Sequence, residues 1–186
     1  MTHFQLFRDL VLPVGEIADV EISYLESDEP VRTLDTEHHA YYPNAPLFWI
    51  PHDYFDEKNQ DPSARKKDRV QSGEVEIIAA WVDGKAVAYF DLKKGTAETE
   101  IFAHPGNGQI AAAYARPDCR GRGIGKALLA EAVRWAETSN LERLYVEGES
   151  ANIYAGNFWS RHFYPAEYSV RRCVDDRIKP GMLTEG

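Results

Sequence analysis

The chain has 186 residues, 44% of them hydrophobic, which is enough for one domain with a substantial core. Its formal charge is -9, and the first 60 residues account for all of it, with twelve acids and three bases. An acidic excess disfavours general nucleic-acid binding, which depends on neutralising phosphates, and is compatible with a cationic substrate. We expect residues 1–186 to form a single domain with no nucleic-acid partner.

No stretch approaches the roughly 18 to 20 uninterrupted apolar residues that a membrane helix needs. The first ten residues lack the basic and apolar regions of a secretory signal, so we expect a cytoplasmic protein with no membrane partner. Two cysteines, Cys119 and Cys173, are too few for a disulfide framework or a four-cysteine zinc site. No metal is predicted, because the nearest group of ligand-type residues has no recognisable spacing. That group is His38, His39, His52 and Asp53.

The first 70 residues have only weak periodicity. Residues 19–25 alternate as in a strand or a short amphipathic segment, and residues 41–52 carry three prolines among aromatics. The second pattern predicts an ordered loop or the wall of a pocket. Residues 56–71 are polar with few apolar anchors, which indicates an exposed loop or a short surface helix.

From Gly73 onward the pattern is sharper. Residues 75–82 and 86–92 are rich in strand-forming residues around a turn, and so predict a β-hairpin. Residues 98–104 are expected to extend a strand or to add one, before a turn at 105–108. A strand, a helix ending near Asn140, another strand, a second helix and a last strand should follow. The four that have definite bounds are at residues 109–115, 141–148, 151–162 and 168–174.

Residues 116–126 concentrate cations and glycines just before the longer helix. They contain four basic side chains and three glycines. From Arg116 to Arg134, five bases against two acids give a local charge of +3. A helix start has unpaired N–H groups and a positive dipole end, and glycines let an anion approach those groups. The segment therefore predicts a ligand that carries phosphate, although the glycines could also mark a tight turn alone.

Two familiar phosphate-binding loops do not fit this segment. A Walker loop needs G-x-x-x-x-G-K-[ST], but Arg120 stands at the first glycine and Ala127 at the hydroxyl residue. A dinucleotide fingerprint needs G-x-G-x-x-G, but Lys126 stands at the third glycine. Both nucleoside triphosphate hydrolysis and dinucleotide binding are therefore disfavoured.

The pattern that does fit is R-x-x-G-x-G, at Arg120, Gly123 and Gly125. This resembles the pyrophosphate-binding loop of the GNAT superfamily of N-acetyltransferases. The segment 152–164 is similar to the second signature of that family, N-x-x-A-x-x-F-[YW]. The matching residues are Asn152, Ala155, Phe158 and Trp159. The resemblance covers about residues 75–175 and implies an α/β fold of GNAT type, with a mixed, mostly antiparallel sheet flanked by helices.

The resemblance also implies acetyl-CoA as co-substrate, with no metal. Loop amides at 122–126 would hold its pyrophosphate, the edge of the strand 109–115 would pair with its pantetheine arm, and an N–H near Ala115 would polarise the thioester. The second helix would pack over the cofactor, and the first 70 residues would build the acceptor side. The implied cofactor-binding residues are Tyr114, Ala115, Arg116, Arg120, Gly121, Arg122, Gly123, Ile124, Gly125, Lys126, Asn152, Phe158 and Trp159.

Two residues depart from the family pattern. Trp159 stands where many relatives have a tyrosine that protonates the departing thiolate, and Gln109 stands where several have a glutamate base. The acid and base are therefore open, and a base acting through water is also allowed. The main candidates are Glu147, His104 and Tyr164, and further candidates are Glu149 and Tyr154.

The resemblance implies transfer of an acetyl group from acetyl-CoA to a primary amine of a small molecule or peptide. Gln109 and Trp159 favour an alternative from another class, a CoA-binding sensor or interaction module without catalysis. An O-acyltransferase is a weaker option, and a homodimer is left open.

Overall fold

The computed structural model describes residues 2–44, 62–95, 103–149 and 152–170. Within these residues, seven strands form one sheet. The strands are β1 (Thr2–Asp9), β2 (Glu21–Leu25), β3 (Glu76–Val82), β4 (Lys85–Lys94), β5 (Asn107–Ala115), β6 (Arg143–Glu149) and β7 (Tyr164–Val170). The helices are α1 (Arg32–Asn44), α2 (Pro62–Gln71), α3 (Ile124–Thr138) and α4 (Ile153–Trp159). In that part of the chain, no helix is both long and apolar enough to span a membrane.

The sheet has the order β2-β3-β4-β5-β6-β1-β7. Every neighbouring pair is antiparallel except β5 and β6, which are parallel. The predicted fold class, a mixed and mostly antiparallel sheet flanked by helices, is therefore confirmed. The first strand, β1, lies inside the sheet and pairs with β6 on one side and β7 on the other.

The two faces of the sheet carry two apolar cores, because side chains alternate along a strand. On one face, α3 packs through Leu128 and Ala132 against Phe90 and its neighbours. On the other face, Leu34 of α1 belongs to a smaller cluster with Ile77 and other residues of β3 and β4. The larger core extends under the start of α3, so it supports the segment that the sequence singled out.

The sequence analysis predicted neither β1 nor α1, because polar residues lie on their buried faces. In β1, Phe4 and Leu6 are buried, but the next position on that face is Arg8, which is only 2% exposed. In α1, the buried position after Leu34 is Asp35. Periodicity counts apolar residues, so a face completed by charged groups gives a weak signal.

Other predicted elements differ from the structure at their ends or lie outside the described residues. Residues 41–44 are helical rather than part of a loop, and of the two alternatives for residues 56–71 the described part, 62–71, is a helix. The last strand begins at Tyr164, four residues earlier than predicted. The predictions for 45–52, 56–61, 98–102 and 171–174 fall outside the described residues.

A buried ion cluster, consisting of Asp35, Lys66 and Asp91, joins α1 and α2 to β4. Lys66 Nζ lies 2.9 Å from Asp35 Oδ1 and 3.0 Å from Asp91 Oδ2. All three residues are less than 9% exposed. One lysine therefore serves two carboxyl groups in a place where an unpaired charge would be costly.

This cluster should make stability depend on pH. Burial, outweighing the opposing effect of Lys66, raises the pKa of Asp91 to about 6, whereas an unfolded aspartate titrates near 3.9. A folded-state pKa above the unfolded value means that the contribution to stability is fully present below about pH 4 and is lost as the pH rises to about 6. We expect a decrease in the free energy of unfolding of up to about 3 kcal/mol over that interval.

Urea unfolding of the wild type and of Asp91→Asn between pH 4 and 6.5 measures this effect. The asparagine has nearly the same size and cannot titrate, so the variant should lack this part of the pH dependence. Identical pH slopes in the two proteins would contradict the assignment.

Candidate functional site

The strands β5 and β6 are paired at one end and separate at the other. Their paired residues run from Asn107 opposite Arg143 to Ile110 opposite Val146. Beyond that point β5 continues beside β4, and β6 continues beside β1. Among the described strands, none pairs with the edge of residues 111–115 that faces β6. A gap therefore opens in the middle of the sheet, next to the start of α3.

A main-chain donor faces this gap at the end of β5. The Arg116 N–H donates to Val87 O at 3.0 Å, so that amide points toward β4. Successive amides of an extended strand point to opposite sides. The Ala115 N–H consequently points away from β4, toward the gap, where it can donate to an incoming group.

The loop before α3 takes a shape that requires glycine. Gly121 and Gly123 have φ values of 74° and 82°, in the left-handed region that strains other residues. Gly123 is the N-cap of α3 and offers no side-chain acceptor to the first amides of the helix. Those amides and the helix dipole form a site for an anion. The residues present thus fit a diphosphate group.

Arg120 ties this loop to the end of β5. Its Nε donates to Ala115 O at 3.0 Å. Its guanidinium lies 5.9 Å from the ring centre of Tyr114 and 5.6 Å from that of Tyr154. The side chain is exposed, so its charge remains available to an anion at the mouth of the gap.

The short helix α4 covers the start of α3. Asn152 caps α4 by accepting a hydrogen bond from Ala155 N at 3.1 Å. A Cβ on Gly125 would lie 3.2 Å from Phe158, so the glycine lets the aromatic ring lie directly on α3. Trp159 is buried and packs edge-on against Phe158. The second predicted motif is therefore next to the first in space.

These elements enclose a cleft of about 440 Å³. It is lined by most of the residues that the sequence analysis assigned to cofactor binding, but not by Arg116 or Arg122. The predicted residues that line it are Tyr114, Ala115, Arg120, Gly121, Gly123, Ile124, Gly125, Lys126, Asn152, Phe158 and Trp159. Arg116 Nε lies instead 3.6 Å from Asp118 Oδ1, and the Arg122 side chain is exposed.

The cleft is electrostatically positive around His162. Burial, followed by the charges of Arg8, Lys126 and Arg161, lowers the pKa of His162, which also lines the cleft. A histidine surrounded by cations stays neutral at neutral pH. The cations of this region therefore favour an anionic ligand, in a chain whose overall charge is negative.

None of the three catalytic candidates, His104, Glu147 and Tyr164, is among the residues that line the cleft. His104 accepts a hydrogen bond from Gly106 N at 3.1 Å and lies just before β5, whose nine residues place Ala115 roughly 25 Å away. Glu147 accepts from Gln5 Nε2 at 2.9 Å, and Tyr164 is exposed on β7. Their catalytic roles stay predictions.

Sequence reasoning missed several residues of the cleft. His38 comes from α1, which the sequence did not reveal, and Arg161 and His162 follow α4. Cys119 also lines the cleft, as a buried free thiol. In the described part of the chain, no group of three or more histidine, cysteine or acidic residues is arranged to hold a metal ion.

Known structures share this fold. A ribosomal-protein-alanine N-acetyltransferase from Brucella melitensis biovar Abortus 2308 superposes with a TM-score of 0.55 at 22% identity, covering 84% of this chain and all of the other. An aminoglycoside acetyltransferase, meta-AAC0020, from an uncultured soil metagenomic sample, in complex with sisomicin, gives 0.56 at 18% identity and covers 84% and 95%. The aminoglycoside N-acetyltransferase AAC(6')-Iy in complex with CoA gives 0.51 at 14% identity, covering 86% and 100%.

Comparison of the sequence with curated proteins and with family models tests whether the chain belongs to a known family. No curated protein matches the chain. Residues 34–163 match the model of the acetyltransferase (GNAT) family. This match spans more than half of the sequence and includes both predicted motifs, and the solved structures share the fold. The chain therefore belongs to the GNAT acetyltransferase family.

Proposed function

We propose that this protein transfers an acetyl group from acetyl-CoA to a primary amine of a small molecule or peptide. One observation carries the proposal: the glycine-capped start of α3 opens into the gap between β5 and β6. That arrangement supports an anion site beside a strand edge that pairs with none of the described strands. A diphosphate joined to an extended arm that carries amide groups would fit both features, with the diphosphate in the anion site and the arm along the strand edge.

In this proposal, each part of the cleft has a separate task. The amides at the start of α3 hold the diphosphate, and Arg120 and Lys126 neutralise its charge. The edge of residues 111–115 pairs with the extended arm as an added strand would. The Ala115 N–H then donates to the carbonyl oxygen as negative charge develops on it. Acetyl-CoA supplies the activated acetyl group when bound.

The acceptor is proposed to carry positive charge. Acidic residues dominate the first 60 positions, and one of them, Glu37, lies beside the cleft, where it accepts a hydrogen bond from Tyr114 Oη at 3.2 Å. An amine with a second cationic group would be attracted to that side of the molecule. The aminoglycoside enzymes of similar fold are a precedent for the fold and not for the substrate.

Acceptor-dependent release of free CoA, followed with a thiol reagent, tests the reaction. We expect turnover in a mixed pool of amines and none without amine. Among pure compounds, putrescine should have a higher kcat/KM than γ-aminobutyrate, because the two share chain length and differ in the charge of the far end. Faster turnover of the anionic compound would contradict the proposed acceptor class.

A second candidate function, CoA binding without chemistry, is favoured by Trp159. The side chain is packed in the core against Phe90 and Phe163, where it adds no acidic hydroxyl to the cleft. Calorimetric titration with acetyl-CoA, combined with the turnover assay, separates the two candidates. Tight binding with no turnover in any amine pool would support this second function and overturn the first.

A further inference from the structure

A histidine that the sequence did not assign lies in the cleft beside the end of β5. His38 of α1 lines the cleft together with Tyr114 and Ala115. Its ring stacks on Tyr114, with centroids 5.4 Å apart and planes 27° apart. The imidazole therefore lies next to the strand end whose Ala115 N–H faces the gap.

A chain of hydrogen bonds leads from this imidazole into the protein. His38 Nδ1 lies 3.2 Å from Tyr89 Oη, and Tyr89 Oη donates to Asp35 Oδ1 at 2.7 Å. Asp35 Oδ1 also accepts from Lys66 Nζ, which belongs to the buried ion cluster. Lys66 Nζ lies over the Tyr89 ring at 3.8 Å, so the phenol is held from two sides.

This series of hydrogen bonds determines which nitrogen of neutral His38 carries the proton. A phenol has one O–H proton, and Tyr89 gives it to the carboxylate of Asp35. The phenol oxygen can then only accept from His38, so Nδ1 must be the donor. The basic lone pair of the imidazole is consequently on Nε2, at the other side of the ring.

Resting on the proposed function, we propose that His38 is the general base of the acetyl transfer, with Tyr89 and Asp35 as positioning residues. As the amine attacks, its nitrogen forms a bond to the acetyl carbon and its proton passes to His38 Nε2. The bond between that carbon and the CoA sulfur breaks, and sulfur leaves with the electron pair. The thiolate takes a proton from solvent, and His38 returns its own to solvent, so protons balance over one turnover.

Charged groups of both signs surround His38. Asp35, reached through Tyr89, and Glu37, which accepts from Tyr114, favour the imidazolium form. Lys66 and Arg120 oppose it from α2 and from the loop before α3.

The tautomer of His38 can be tested without measuring enzymatic activity. NMR of the protein labelled with ¹⁵N-histidine, with His38→Ala assigning the signals, should show neutral His38 protonated on Nδ1. The Tyr89→Phe variant keeps the aromatic ring and removes the hydroxyl, so this preference should disappear. A wild-type His38 protonated on Nε2 would overturn the positioning chain whether or not the protein is an enzyme.

Kinetics test the base itself, with the best amine from the acceptor pool. His38→Ala should lower kcat by roughly 100-fold or more, leave the Kd for acetyl-CoA within about twofold, and be partly rescued by added imidazole. Tyr89→Phe should lower kcat by a smaller factor and shift the acidic limb of the pH profile. Thr36→Ala, an exposed change on the same helix, is the matched control and should leave kcat unchanged.

Failure of the proposed function can be distinguished from failure of the proposed role of His38. A wild type that turns over no amine overturns the proposed function and, with it, the role of base. If the wild type is active and His38→Ala has the same kcat, only the proposal that His38 is the general base is overturned. A loss of kcat in His38→Ala that added imidazole does not rescue overturns that proposal as well.

Discussion

The Gly123→Asp variant is expected to bind acetyl-CoA about 100-fold more weakly than Gly123→Asn, or worse. Both side chains meet the same obstacles, a φ of 82° and a Cβ contact of 3.2 Å with Ala18. Only the aspartate puts a negative charge where the proposed diphosphate lies. At an effective dielectric constant near 20, two unit charges about 4 Å apart interact with about 4 kcal/mol, and screening by solvent reduces this.

Isothermal titration calorimetry of both variants measures the difference in Kd. Because the two variants share the backbone strain, the comparison isolates the charge. The gap should narrow as salt is added, since the site is open to solvent. Equal affinities for the aspartate and asparagine variants at low salt would place the diphosphate elsewhere.

Loss of Lys66 is expected to be among the most destabilising single changes in the described chain. Lys66→Met keeps much of the apolar stem but leaves Asp35 and Asp91 buried without their cation. Removing one partner of a buried ion pair typically costs about 3 to 5 kcal/mol. Urea unfolding at pH 7.5, where the carboxyl groups would be charged at greatest cost, should show a loss of that size.

The neighbouring Lys67 provides the matched control for this change. It lies on the same helix and is exposed, so Lys67→Met should alter the free energy of unfolding by no more than about 0.5 kcal/mol. If the two lysine variants were equally stable, α2 would not be packed against β4 through this cluster.

The strand, loop and helix start that would hold the cofactor were predictable from sequence because they are close together along the chain. A strand, a glycine turn and a helix start lie within residues 107–126, so local backbone chemistry determines the anion site. The helix capped by Asn152 could be recognised for the same reason. Neither prediction needed knowledge of how distant segments meet.

The other side of the cleft depends on tertiary packing, and the sequence could not reveal it. His38 acquires its partners from β4 and β5, about 50 and 75 residues further along the chain. Asp35 and Lys66 look like surface residues in the sequence, and only their mutual neutralisation allows them to be buried. Arg8 is also buried, but its partner is a main-chain carbonyl: it donates from β1 to His162 O at 2.8 Å.

The position of β1 has a consequence for how the molecule assembles. Residues 2–9 are synthesised well before their two partner strands, at 143–149 and 164–170, which lie far along the chain. Closing loops of that length is entropically unfavourable and slows folding. The nascent chain must therefore keep an unpaired, partly apolar strand out of aggregates until β7 appears, and chaperone dependence should be concentrated in that interval.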